Sequence, residues 1–317
     1  MHMSTTARNC LVAFEIAFCL WPLSAHSRVW LVRNDGTGDV PTIQAAIDSA
    51  AAGDTITLAK GIFSVDSMIM CLTKNDLLIT SEAGPESTSL SFSGASAFMN
   101  LVSCSGLSIE GILFKNALGS ALSVSMSSQI AVSDCRFFNN GHYYGKYALM
   151  FEWCDGIDVR NSVLGGNAGG VMFYEEDRNI LIYNNTFLGN TSIEINLNGV
   201  MNCSISNSIV SGSNYGISGI AANLTIACND VYNNSENYTI TGFPDPTGLN
   251  GNISVDPQFC SIDPVAYDNY NLQGDSPCAP GNHPSGYACG LIGGEPVGCG
   301  TTGTEKTNWS KVKQVFK

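Results

Sequence analysis

The sequence predicts an all-β solenoid: a parallel β-helix whose N-terminal end is covered by an amphipathic helix. Three observations carry this. First, a pair of apolar residues one apart recurs as Ile130-x-Val132, Ile157-x-Val159, Ile180-x-Ile182, Cys203-x-Ile205 and Leu224-x-Ile226. With an earlier copy at Leu107, successive starts lie 23, 27, 23, 23 and 21 residues apart, the range of solenoid repeats. Second, the apolar residues alternate and then stop at Gly, Asn or Asp, which marks short strands rather than helices. Third, the corners repeat: Asn161, Asn184 and Asn207 form one column, with Asn185 and Asn229 in the next. Asn tolerates left-handed backbone and bonds to nearby amides. One short strand buries no core, but stacked coils do, about 4.8 Å apart.

The elements follow in order. Residues 1–25 read as a secretory signal, with Arg8 before an apolar stretch from Cys10 to Leu23 and a small-residue cleavage site at Leu23-Ser24-Ala25. That stretch is interrupted by Glu15 and is too short to span a membrane. Residues 26–60 hold a first strand and a helix on which Ile43, Ala46, Ile47 and Ala50 share one face. That helix is the expected lid for the open end of the core. Residues 61–234 form the coils, with about three strands in each. Residues 235–300, rich in Gly, Pro, Asn and Asp, read as an irregular segment that folds back over the last coils. In residues 301–317, Trp309, Val312 and Phe316 fall at helical spacing among four lysines. This basic amphipathic tail is a candidate for attachment to the cell envelope, against the plainer reading of a frayed terminus.

The run from Val29 through Gly61, with Thr42-Ile43-Gln44-Ala45-Ala46-Ile47-Asp48 and then Gly53-Asp54-Thr55-Ile56, resembles the start of secreted right-handed parallel β-helix proteins of the pectin-lyase-like group. Asp256-Pro257-Gln258-Phe259 and Cys289-Gly290-Leu291-Ile292-Gly293 resemble the way bacterial members close. The resemblance implies a single-stranded right-handed solenoid and a secreted or cell-surface location. It implies no one activity, because the group contains lyases, hydrolases, epimerases and adhesins.

Of 12 cysteines, Cys10 and Cys19 fall in the signal. Cys260, Cys278, Cys289 and Cys299 are the disulfide candidates, because they would staple a glycine-rich segment with little core of its own. Their pairing is open at this point. The net charge is −13, and between residues 61 and 300 the basic residues are only Lys74, Lys115, Arg136, Lys146, Arg160 and Arg178. This argues against a nucleic-acid partner and against a basic strip for a highly anionic polymer.

The single 27-residue interval places an inserted loop near His142, Tyr143, Tyr144 and Tyr147, and such loops form binding walls on solenoids. Allowing for four extra residues, Glu152 comes into register with Glu175, Phe151 with Tyr174, and Leu149 with Met172. The outward column would continue at Glu194 and Asn196. Rings beside carboxylates suit a polysaccharide or cell-surface glycan. Glu152, Glu175, Asp177 and Asp155 are the candidate catalytic acids, and one coil of separation matches a retaining glycosidase pair. His142, Tyr143, Tyr144, Tyr147, Phe151, Met172, Tyr174, Glu194 and Asn196 are the candidate substrate contacts. Two alternatives stand beside this reading. One is a non-catalytic structural or adhesive surface protein. The other is a polysaccharide lyase in which Asp155, Asp158, Glu175 and Asp177 hold a calcium ion (Ca2+).

Overall fold

In the computed structural model, residues 27–94, 98–142, 146–261 and 270–299 are described. The expected signal, the Tyr143-Tyr144 part of the inserted loop and the basic tail lie outside them.

The chain winds into a right-handed parallel β-helix. Each coil contributes three short strands, as Asp155–Arg160, Val163–Gly165 and Val171–Phe173 do. Equivalent strands stack into a 15-stranded sheet and an 8-stranded sheet. Two long strands, Ile193–Ser206 and Tyr215–Ala227, run through the bend of the larger sheet and join its two halves. The recurring apolar pair is the register itself: Ile130 stands on Ile157, Ile157 on Ile180, Ile180 on Cys203 and Cys203 on Leu224.

The core is a narrow cylinder of alternating side chains. Phe92, Phe114 and Phe137 stack along it, with ring centroids 6.4 and 4.8 Å apart. Burying each such ring contributes roughly 2–3 kcal/mol. The helix Ile43–Ser49 begins at Thr42, whose hydroxyl accepts the Ala45 amide at 3.1 Å, a standard N-cap bond. Its Ile43, Ala46 and Ile47 enter the same core. Gln44 fastens it to the first coils by accepting the Met70 amide at 2.8 Å and donating to the Met70 carbonyl at 2.9 Å.

The corners behave as the Asn columns predict. Asn161, Asn184 and Asn207 all take left-handed backbone, with φ of 49°, 54° and 50°. Inside the next corner the Asn161 neighbour Ser162 donates its amide to Asn185, Asn185 to Ser208, Ser208 to Asn229 and Asn229 to Asn252. Each of these buried side chains thus caps the amide one coil away, satisfying a donor that the turn would otherwise leave orphaned.

The irregular C-terminal segment reaches further than the last coils. It crosses the outer face of the 8-stranded sheet and builds a second core there. Leu113, Phe138, Val163, Leu188 and Ile209 from the sheet meet Phe259, Tyr270, Leu272 and Ile292. Glu295 pairs with Arg136 at 2.7 Å. This route corrects one disulfide expectation. Cys260 bonds Cys299, but Cys289 bonds Cys228. Cys228 occupies the left-handed corner column at φ 56°, and the returning segment passes over it. Cys278 remains a buried thiol that donates to Asp230 Oδ2 at 3.2 Å. A Cys289→Ala change is expected to cost about 2–4 kcal/mol. Limited proteolysis should then nick the segment around residues 284–299 while the coils stay protected; unchanged resistance would show that the second core alone holds it.

Candidate functional site

The surface predicted to carry function is the outer face of Leu122–Ser125, Leu149–Glu152, Val171–Phe173 and the start of Ile193–Ser206. Its register corrects the expected stacks by one residue. Leu149 stands on Val171, Met150 on Met172 and Phe151 on Phe173. The reason lies in two compensating length changes. From Ile130 to Leu149 is 19 residues against 14 from Ile157 to Val171, so the loop gains five. The following corner is one residue shorter, 8 from Leu149 to Ile157 against 9 from Val171 to Ile180.

Phe151 is therefore a core residue, fully buried and stacked on Phe173 with centroids 5.3 Å apart. It cannot touch a ligand on the outer face. Glu152 aligns with Ser125 in the preceding coil, and Tyr174 follows Phe173 in the same outward column. Met172 does face outward, between Met150 and Asn196. Asn196 donates to the Tyr147 hydroxyl at 2.6 Å. The structure thus joins Tyr147 from the inserted loop to Asn196, two coils along. His142 is exposed, with Nε2 3.1 Å from the Asn139 carbonyl. Tyr143 and Tyr144 lie outside the described residues.

The four acids separate by role. Glu152 is half-buried on the face, and Glu175 is exposed on the corner beside Gly199. Asp177 is buried; it accepts the Cys154 amide at 2.6 Å and the Tyr174 amide at 3.0 Å. Burial, with a smaller push from Glu152, raises its pKa to about 7. Asp155 accepts from Arg178 Nε at 3.1 Å and Asn179 Nδ2 at 2.6 Å, bonds that hold its pKa below the usual range. Glu194 does not continue the outward column. It is buried and accepts from Asn190 at the end of the ladder Asn140, Asn167, Asn190. Its pKa is driven well up by burial.

The sequence reading missed Trp153. It occupies a corner at φ 56°, half exposed, directly after Glu152. Met126 holds the equivalent corner one coil earlier and is equally exposed. The available signal was a large apolar residue at a position that other coils fill with Ser103 or Thr73.

Among the described residues no group of three or more His, Cys, Asp or Glu is placed to hold a metal ion. Among the same residues, no helix is long and apolar enough to cross a membrane.

Comparison with protein families gives a match over residues 51–244 to the model for NosD, described as a periplasmic copper-binding protein. The chain belongs to the NosD family. Among solved structures, this NosD-family chain superposes on pectate lyase Pel9A with a TM-score of 0.52 at 12% identity, covering 86% of this chain and 97% of that one. The PL6 alginate lyase AlyGC gives 0.39 at 14%, over 70% and 41% of the two chains. A pectate lyase variant from Xanthomonas campestris gives 0.37 at 14%, over 65% and 78%. At these identities the likeness to Pel9A is one of fold. No curated protein matches the chain. The copper in the NosD family's description meets no cluster of three or more His, Cys, Asp or Glu among the described residues. His283 is tied to the Gly251 carbonyl at 2.9 Å and the Ser285 amide at 3.2 Å. The six free cysteines among the described residues, Cys71, Cys104, Cys135, Cys154, Cys203 and Cys278, are all buried.

Proposed function

We propose that this NosD-family chain is an exported protein that binds an extended, uncharged or weakly charged saccharide along the face from Met126 to Asn198. The observation that carries the reading is the outward register column of Glu152, Tyr174 and Asn198, with the half-exposed Trp153 directly after Glu152 and Asn196 in the neighbouring column. Aromatic faces stack on sugar C–H surfaces, and the carboxylate and amides bond to hydroxyls. The outward positions of these strands hold no Lys or Arg, so nothing there recruits a polyuronate. The signal-like start, the family's periplasmic description and the two disulfides support export.

Of the four acids, we assign Glu152 to the ligand because it is half-buried on this face, whereas Asp155 and Asp177 bond to corner groups. Calorimetric titration against neutral glucans, xylans and mannans tests the reading. Trp153→Ala and Tyr174→Ala are each expected to weaken binding at least 10-fold without moving the melting temperature. Binding that survives both changes would overturn it. Glu152→Gln separates the roles: binding kept with product formation lost would make Glu152 catalytic, whereas weaker binding and no turnover in either form identify a binding face. Removal of residues 301–317 should release the protein from the cell envelope if the basic tail anchors it.

A further inference from the structure

The buried thiols of the coils are not alike. Cys135 donates to the Ile109 carbonyl at 3.7 Å and Cys154 to the Glu152 carbonyl at 3.4 Å, each over ordinary sulfur bonds. Cys71 and Cys104 instead touch each other, Sγ to Sγ, at 3.6 Å. Cys71 lies in Ile69–Leu72, and Cys104 follows Met99–Val102, the parallel strand stacked on it. Both are buried in the core, with 0% and 2% of their surface exposed.

We propose that Cys71 and Cys104 close a third disulfide inside the first coils. The sulfurs need to approach by about 1.5 Å to reach bonding distance. The product is uncharged and stays in an apolar interior, and it ties two adjacent coils across a loop with a sequence separation of 33. The chain already carries two disulfides, so the compartment that forms them supplies the exchange partner, a small-molecule disulfide. Cys104 gives up its proton, and its thiolate attacks one sulfur of that disulfide, releasing one small thiol. Cys71, deprotonated in turn, attacks the Cys104 sulfur of the mixed disulfide and expels the second small thiol. Two protein S–H bonds become one S–S bond, and the reagent's S–S bond becomes two S–H bonds. The side-chain contact with Cys71 holds the Cys104 thiol below its usual pKa, which suits Cys104 as the first attacker. Exchange takes place before the next coil covers the corner, where Ser127 caps the Cys104 amide at 3.0 Å.

The full-length exported protein is alkylated under denaturing, non-reducing conditions, digested and mapped by mass spectrometry. The expected map contains a Cys71–Cys104 linked peptide, with Cys135, Cys154 and Cys203 alkylated. The Cys228–Cys289 linkage in the same digest reports that the chain folded and was oxidised. Cys104→Ser should abolish the linked peptide and leave Cys71 fully alkylated while Cys228–Cys289 persists. A map in which Cys228–Cys289 is linked and both Cys71 and Cys104 are alkylated overturns the proposal. Linkage of either residue to a different cysteine does the same.

Discussion

Asn167→Leu should cost about 2–6 kcal/mol of unfolding free energy. Asn167 is 1% exposed. Its Oδ1 accepts the Asn140 amide at 2.9 Å and the Asn140 side chain at 3.0 Å. Its Nδ2 donates to the Phe137 carbonyl at 3.0 Å and to Asn190 Oδ1 at 2.8 Å. Leucine has a similar shape and none of these bonds. It leaves the Asn140 amide and the Phe137 carbonyl buried without these partners, at about 1–3 kcal/mol for each orphan. The damage spreads because every coil is held only by its neighbours. Asn202→Gly is the control. Asn202 is exposed, at φ 55°; it donates to Asn179 and accepts from Asn223, both in the same exposed column. Glycine keeps that backbone without strain, so the loss should stay below about 1 kcal/mol. Urea unfolding of the two variants decides the matter; an Asn167→Leu loss no larger than the control would mean that water replaces the ladder.

The second large effect is a fall in stability as pH rises from about 4 to about 7. Burial raises the folded-state pKa of Asp177 and Asp230 from 3.8 to about 7 and drives Glu194 well above 4.5. In this window the unfolded chain has lost those protons and the folded chain keeps them. The folded state therefore binds more protons, and its stability declines with pH. Each Asp shift of about three units corresponds to roughly 4 kcal/mol as an upper figure. Below pH 4 the sign reverses. Asp54 has a lowered pKa because it accepts from the Arg28 amide, the Trp30 indole and the Ala51 amide. That contribution is present above its unfolded value and lost as pH falls through the folded one. Scanning calorimetry should show the melting temperature highest near pH 4–5. A profile that is flat or rising between pH 4 and 7 would mean that these carboxyls ionise in place.

How much of this was legible depended on how local the cause was. The column from Ile130 to Leu224 and the left-handed Asn161, Asn184 and Asn207 could be read directly, because alternation and corner geometry are properties of a few adjacent residues. The face around Glu152 was legible only as a region. A five-residue gain in the loop and a one-residue loss in the next corner both sit inside one coil. The 27-residue spacing from Ile130 to Ile157 shows only their net gain of four and hides where each change falls. A one-residue slip exchanges inward for outward, which is why Phe151 was expected outside and Trp153 was overlooked. Glu194 was missed for a related reason: its carboxylate takes over the acceptor role that Asn plays in other coils, and that role belongs to the stack rather than to the residue.

The sequence by itself determined the scaffold: a parallel coil with a helical lid, polar corners and a single irregular loop. It did so because each repeat carries the same alternation and the same corner residues. Only the tertiary structure decided which side chains share the outer face, that Cys289 reaches Cys228 rather than Cys278, and that Cys71 touches Cys104. These depend on the path of loops and of the returning C-terminal segment, which no local period encodes.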